Sequence, residues 1–367
     1  MYVVSVSSLK GGVGKTTIAL GLASAAAARG LRILVVDLDP QCDATTGLGA
    51  IGEFADTCAD VLQSPRHNIV HRAIVASTWA KILPSKIDIM VGSPKVQIVD
   101  HPHPSIKELW RLEEALTKIE KDYDLVIVDT PPSINGLTKT AWVASDRILV
   151  VTEPSLFSVV AADRSIRSIN ELRKGVTRRL KIHGVVINRF KPMSREHQFR
   201  VNELQEKYGS RLLPQRFEEK ATIQQAQGAA RPIHAWTGET SLEVAKAFDG
   251  ILAGLLEDLV NNPHKEQSRL SKRQARREKK LNRSKRGKNI DSLLNEDTDE
   301  LNILETLTGE IALPAPYTEE AVELGLTEPE EEIIPPTPEE LFEELMRETM
   351  QKLQDEKQDE EKDEKPE

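Results

Sequence analysis

The sequence predicts an α/β fold: a mainly parallel, doubly wound sheet with helices on both faces, followed by a long polar tail. Three observations carry this. Short β-branched runs alternate with longer helical patterns through roughly the first 260 residues, several of those runs are apolar at every position, and after Asn261-Asn262-Pro263 the composition turns abruptly charged. Strand–helix alternation at this spacing implies right-handed βαβ crossovers. Strands without polar alternation are those covered on both faces.

The expected strands are Val3–Ser7, Arg32–Asp37, Ile87–Val91, Leu125–Asp129, Arg147–Thr152 and Lys181–Asn188. Ile33-Leu34-Val35-Val36 and Leu125-Val126-Ile127-Val128 are apolar throughout. Helical patterns fill the gaps at Thr16–Arg29, Ser105–Lys121, Val159–Arg173 and Ser194–Tyr208. A last helix, Ser241–Val260, places Leu242, Ala245, Phe248, Leu252, Leu255 and Leu259 on one face and closes the domain. Residues 1–262 form this domain.

Two segments of opposite charge follow. Residues 265–288, within a basic stretch at 263–290, contain 12 Lys or Arg against Glu266 and Glu278, whereas residues 296–367 hold 26 acidic and 5 basic residues. The stretch 291–367 is acidic and proline-punctuated; it cannot bury enough apolar surface to offset its ordering entropy and is expected to be mostly disordered. One exception is a short helix over 338–353, where Leu341, Phe342, Leu345, Met346, Met350 and Leu353 share a face. The chain-wide net charge of −9 therefore says little about partners.

Cys42 and Cys58 are the only cysteines, Met1 runs directly into the first strand, and no apolar run approaches the ~20 residues that span a bilayer. The expectation is a cytoplasmic protein with reduced thiols and no membrane attachment.

The chemistry concentrates at Lys10-Gly11-Gly12-Val13-Gly14-Lys15-Thr16-Thr17, between the first strand and an alanine-rich helix. A glycine-rich turn there aims backbone N–H groups and a helix N-terminus at an anion. Gly11, Gly12 and Gly14 let the backbone wrap a phosphate, Lys15 reaches the β and γ phosphates, and the Thr16 hydroxyl ligates Mg²⁺. The sheet is thus that of a P-loop NTPase, with ATP and Mg²⁺ as ligands. The usual pattern has a glycine where this chain has Leu9, and lysine follows at position 10, giving two lysines in one loop.

That double-lysine loop resembles the deviant P-loop of the ParA/MinD family, and the likeness extends along residues 2–260. Val35-Val36-Asp37-Leu38-Asp39-Pro40-Gln41 is similar to the family's second motif, and Tyr123-Asp124-Leu125-Val126-Ile127-Val128-Asp129-Thr130-Pro131-Pro132-Ser133 to its Walker B region. Gly184-Val185-Val186-Ile187-Asn188-Arg189-Phe190 resembles the strand ending at the adenine. Leu213-Pro214-Gln215-Arg216, Ile223-Gln224-Gln225-Ala226-Gln227 and Arg231-Pro232-Ile233 resemble the loop and helix beyond it.

The resemblance implies a role for each position. Lys15 is the phosphate lysine, Lys10 the signature lysine that crosses to the nucleotide of a second subunit, and Asp39 positions the attacking water. Asp129 holds Mg²⁺ through its water shell beside Thr16; Asn188 recognises adenine and Pro214 lines the base pocket. Asp37 is open between a direct role and a packing carboxylate, and Cys42 is read as a space-filler where relatives often carry glycine. An ATP-dependent homodimer with weak Mg-dependent ATPase activity follows, suited to a timer or switch.

Within the family, cysteine-bound clusters are excluded by the positions of Cys42 and Cys58. The acidic last helix argues against membrane targeting, and the start at the first strand points to the short type without a helix-turn-helix. This leaves partitioning of a chromosome or plasmid, or positioning of other cargo, with nonspecific DNA binding, nucleoid association and a ParB-like activator or cargo adaptor. Arg189, Lys191, Arg195, Arg216 and Lys220 are candidate DNA contacts, interrupted by Glu218 and Glu219. The block at 265–288 lacks aromatics and would act by phosphate neutralisation, or would pair with the chain's own acidic tail. The alternative function is a nucleotide-switched regulator or scaffold that binds proteins rather than DNA.

Overall fold

The computed structural model describes residues 1–261. The basic stretch, the acidic tail and the helix expected over 338–353 lie outside the described residues.

Eight strands form one sheet: β1 (Tyr2–Ser7), β2 (Ile33–Asp37), β3 (Ile74–Ala76), β4 (Ile87–Met90), β5 (Leu125–Asp129), β6 (Arg147–Thr152), β7 (Lys181–Phe190) and β8 (Leu212–Glu218). Their order is β3-β4-β2-β5-β1-β6-β7-β8; only the β3 edge is antiparallel. The helices are α1 (Lys15–Ala28), α2 (Asp43–Gly47), α3 (Cys58–Gln63), α4 (His67–Arg72), α5 (Ile106–Leu109), α6 (Arg111–Thr117), α7 (Gly136–Ala144), α8 (Leu156–Gly175), α9 (Arg195–Tyr208), α10 (Ala221–Gly228) and α11 (Glu239–Asn261). All six expected strands are present, within three residues of their expected ends. No helix of the described residues is long and apolar enough to cross a membrane.

Successive strand residues feed opposite cores. Val4 and Val6 of β1, Ile33 and Val35 of β2, and Ile127 of β5 pack against α1 and α11. Their neighbours Val3, Leu34, Val36, Val126 and Val128 pack against α3, α6 and α7. Ile148, Val150, Val185 and Ile187 meet α8 and α9 in a third cluster. Every residue of β1, β2, β5 and β6 is buried, which is why β2 and β5 are apolar up to their terminal aspartates, while the buried Ser5 and Ser7 of β1 are hydrogen-bonded to Ser145 and Thr130.

The strand β3 and the helices α2, α3, α4 and α7 were not expected, and two expected segments are built differently. The helix expected over Ser105–Lys121 is parted at Trp110 into α5 and α6. The two pieces serve different cores: Leu109 joins the α8–α9 cluster, whereas Leu112, Ala115 and Leu116 join the cluster under α3 and α7. The segment expected to be a loop at Leu213–Arg216 is instead the edge strand β8, pairing parallel to β7. Pro214 disguised it; an edge strand tolerates proline because its outer side needs no ladder donor.

Helix α1 is buried from Ile18 to Ala27, and its small residues let it approach closely. At Gly21 a Cβ would lie 2.0 Å from Phe248 Cζ of α11. That ring is fully buried and stacked on Phe217, centroids 4.3 Å apart, so it cannot swing aside. Gly21→Ala is therefore expected to destabilise the protein by about 1–3 kcal/mol despite alanine's better helix propensity. Pairing it with Phe248→Leu should recover part of the loss in a denaturant titration. A stability equal to or above wild type for the single variant would contradict this packing.

Candidate nucleotide site

The parallel register delivers functional residues to one edge. Asp37 and Asp129 are register partners at the carboxyl ends of β2 and β5, and Asp129 stands opposite Val6 at the end of β1. Glu153 follows β6, and Asn188 lies near the end of β7. Ligands bind open α/β sheets at this edge.

The loop between β1 and α1 turns through Gly12 and Gly14, whose φ values are +76° and +89°. Only glycine adopts both readily. Nothing among the described residues lies within 4 Å of a Cβ built on Gly11 or Gly12. Gly14 has a second constraint: a Cβ there would lie 2.1 Å from Asn188 Nδ2, which donates to the Val13 carbonyl at 2.8 Å. Asn188 is 4% exposed and ties the loop to β7. Among the described residues no side chain caps the N-terminus of α1, leaving its first-turn N–H groups for an anion. Lys15, 6% exposed, begins that helix and makes no hydrogen bond or ion pair with the described residues.

Behind the loop, hydroxyls fix the strand ends. Thr130 Oγ1 donates to the Val6 carbonyl at 2.9 Å, so in the 3.0 Å contact between Ser7 and Thr130 the serine donates. Trp142 Nε1 donates to Ser7 Oγ at 2.9 Å.

Thr16 Oγ1 donates to Asp129 Oδ2 at 2.6 Å, while Asp129 Oδ1 is buried without a hydrogen-bond partner among the described residues. Burial, then the nearby Asp37 charge, push the Asp129 carboxyl up to about 8, against the opposing bond from Thr16. An orphaned carboxylate oxygen beside a hydroxyl at an anion cradle fits a hard divalent cation shared with phosphate. Thr16 and Asp129 are the residues that would hold it.

Asp37 is fully buried and pushed up to about 6, chiefly by that burial. It accepts from the Thr45 N–H at 2.8 Å, the Thr45 hydroxyl at 2.6 Å and the Asp39 N–H at 3.3 Å. Thr45 Oγ1 in turn accepts from Gly92 N–H at 2.9 Å. Asp37 therefore organises the turn that presents Asp39, which is 8% exposed and accepts from Gln41 N–H at 3.0 Å. Cys42 ends the same turn at φ +57°. That left-handed conformation is the physical reason a glycine fits there.

Two lysines of one loop take opposite directions. Lys10 Nζ donates to Glu153 Oε1 and, at 3.3 Å, to Ser155 Oγ, at the corner between β6 and α8. Its side chain is 34% exposed. Just beyond, Leu156, Phe157 and Val160 are exposed on the first turns of α8. Glu153 was missed in the sequence, although an acidic residue ending Val150-Val151-Thr152 is the signal that could have found it. Thr45, buried in a segment without helical periodicity, gave none.

Pro214 is not brought to this edge. It is an exposed residue in the middle of β8, whose register sets Arg216 opposite Ile187 and Glu218 opposite Phe190. Residues 216–218, not Pro214, are level with Asn188, because the segment is a strand rather than a loop. Thr17 reaches toward α10, its Oγ1 3.5 Å from Gln227 Oε1. Arg189 is exposed with φ +54°, a strained conformation for a non-glycine residue beside the site. Among the basic candidates, Lys191 pairs with Glu219 at 3.2 Å and Lys220 with Glu243 at 2.7 Å. Arg189, Arg195 and Arg216 are exposed and make no ion pair with the described residues; Arg216 lies over the Phe190 ring.

A doubly wound sheet with this loop, its lysine and its Thr–Asp pair defines a P-loop nucleotide-binding protein. A family model described as an AAA domain matches residues 1–182. The chain is 30% identical to the sporulation initiation inhibitor protein Soj of Bacillus subtilis, over 50% of this chain and 71% of that protein. It is 31% identical to the chromosome partitioning protein ParA of Caulobacter vibrioides, over 52% and 70% respectively. The apo McdA structure from Cyanothece superposes with a TM-score of 0.60 at 21% identity, covering 70% of this chain and 99% of that one. The chain belongs to the ParA/MinD family of P-loop ATPases.

The raised Asp129 carboxyl has a consequence for stability without nucleotide or cation. A folded value near 8 against an unfolded value near 3.8 means that the neutral form stabilises the fold. That contribution is complete below the unfolded value and is lost as pH rises through about 8. Between pH 5 and 8.5, wild type should lose stability relative to Asp129→Asn in thermal unfolding; parallel curves would refute the assignment.

Proposed function

We propose that this protein is an ATP-dependent dimer switch that partitions DNA or positions cargo. The observation that carries this reading is the divergence of the two loop lysines. Lys15 is buried at the phosphate cradle, while Lys10 is turned away from it to a partly exposed corner flanked by Leu156, Phe157 and Val160. A second subunit would bring both a phosphate cluster for Lys10 and cover for that apolar turn. Kinship with Soj and ParA supports the partitioning role.

The Gly11–Gly14 backbone, Lys15, Thr16 and Thr17 would bind the phosphates of ATP, with Asn188 at the base end. Thr16 and Asp129 would hold a divalent cation, Mg²⁺, which would supply positive charge against the phosphates. Asp39 orients the attacking water, and its turn is kept in place by Asp37 and Thr45. Such catalysis rests on positioning and electrostatics, and one modest carboxylate gives slow hydrolysis that an activator of the ParB kind accelerates. Arg189, Arg195 and Arg216, with the block at 265–288, supply phosphate contacts for nonspecific DNA binding and nucleoid association.

Two experiments test the reading. Lys15→Ala should weaken ATP binding about 100-fold, as loss of a charge-assisted contact worth ~3 kcal/mol. Lys10→Ala should bind ATP like wild type in isothermal titration yet lose ATP-dependent dimerisation and hydrolysis. A Lys10→Ala variant that still dimerises and hydrolyses would refute the trans role. For DNA, changing Arg189, Arg195 and Arg216 together to Glu should weaken ATP-dependent binding and flatten its salt dependence, by roughly one unit of slope per lost phosphate contact. Absence of DNA binding in every nucleotide state would favour the protein-binding regulator instead.

A further inference from the structure

The partner that Lys10 already has is a built acceptor site. Glu153 Oε1 receives the Lys10 ammonium, the Ser155 hydroxyl at 3.3 Å and the Ser158 hydroxyl at 3.2 Å. Ser155 also contacts Lys10 Nζ at 3.3 Å and Ser158 Oγ at 3.0 Å. Ser155 is the residue before the first turn of α8, so the positive end of that helix faces the same carboxylate. Glu153 is only 20% exposed at its side chain. Burial alone would raise its carboxyl, but the Lys10 ammonium and the serine hydroxyls outweigh it and hold the group below the usual carboxylate range. The carboxylate is thus charged, desolvated in part and satisfied chiefly by one lysine.

We propose that Glu153, with Ser155 and Ser158, is a clasp that holds Lys10 within its own subunit and sets the threshold for ATP-dependent dimerisation. The idea rests on the dimer reading above and adds a residue and a direction of control to it. A lysine cannot serve two anions at opposite ends of its reach, so Lys10 must leave Glu153 to meet a second subunit's phosphates. Its departure strips a half-buried carboxylate of its counter-charge, which costs free energy. A symmetric dimer breaks two clasps, and the cost enters twice. A phosphate cluster carries more negative charge than one carboxylate, so a triphosphate competes for Lys10 where a weaker anion fails. Glu153 acts through Lys10 and is a positioning residue, not a catalytic one.

Glu153→Gln keeps the shape and removes the charge. In the nucleotide-free full-length chain, acetylation of Lys10 by sulfosuccinimidyl acetate, followed by peptide mass spectrometry, should run several-fold faster in Glu153→Gln than in wild type. Other lysines serve as internal controls that a general loosening of the fold would also move. Equal Lys10 rates overturn the clasp itself, whatever the protein does with ATP. In analytical ultracentrifugation with Mg²⁺ and a non-hydrolysable ATP analogue, the variant should dimerise at about ten-fold lower concentration. That shift corresponds to a few-fold per clasp, as for partly exposed ion pairs. The Lys10→Ala, Glu153→Gln double variant should show no such gain. Faster labelling with an unchanged dimerisation midpoint overturns the regulatory role. A wild type that stays monomeric at every concentration, with Lys10 still protected, overturns the dimer reading and the regulatory role with it, while leaving the ion pair standing.

Discussion

The site exists because the buried central strands leave little room for polar groups that lack a partner. Strands β1, β2, β5 and β6 are buried along their whole length between two helical layers. An unpaired charge inside that sandwich would cost several kcal/mol; Arg147, the buried first residue of β6, is paired with Asp258 at 3.0 Å. The parallel register aligns the strand ends instead, so Ser7, Asp37, Asp129, Glu153 and Asn188 emerge along one edge from elements far apart in sequence. Helix α1 completes the arrangement. It is small enough to be swallowed by the core, and its uncapped N-terminus ends against that same edge.

Crowding at the edge sets its electrostatics. Asp37 and Asp129 sit side by side, both desolvated; the Asp37 charge raises the Asp129 carboxyl, and the Asp39 charge adds to the burial that raises Asp37. Asp37 meets the strain with three hydrogen bonds from its own chain, whereas Asp129 keeps one oxygen without a partner among the described residues. Two carboxylates of similar burial are thereby separated in role. One is an internal brace that shapes the turn carrying Asp39, and the other is left wanting positive charge. The same division falls on the lysines, with Lys15 kept for the cradle and Lys10 drawn off to Glu153.

Asn188 shows how closely these parts are fitted. Its amide grips the Val13 carbonyl at 2.8 Å, an approach that the missing side chain of Gly14 permits. The phosphate loop is thus anchored to β7, and the strained Arg189 that follows falls at the register shift between Ile187 and Phe190 in the pairing with β8.

Much of this was legible in the sequence. Apolar runs of strand length gave the six inner strands, and Gly12, Gly14, Lys15 and Thr16 gave the phosphate loop, because both signals are local: periodicity and a fixed spacing on one turn. Contacts made across the sheet were not legible, even where, as for Asn188, the residue itself was. Glu153 lies 143 positions from Lys10, and Asn188 lies 175 from Val13. Nor could spacing show that Pro214 belongs to an edge strand, that Lys191 and Lys220 are neutralised by Glu219 and Glu243, or that Arg189, Arg195 and Arg216 stay exposed. By itself the sequence determined which backbone could wrap a phosphate, since that depends on φ angles within one loop. Only the tertiary structure decided which charges meet, since a charge's partner depends on distance and desolvation that the whole sheet imposes.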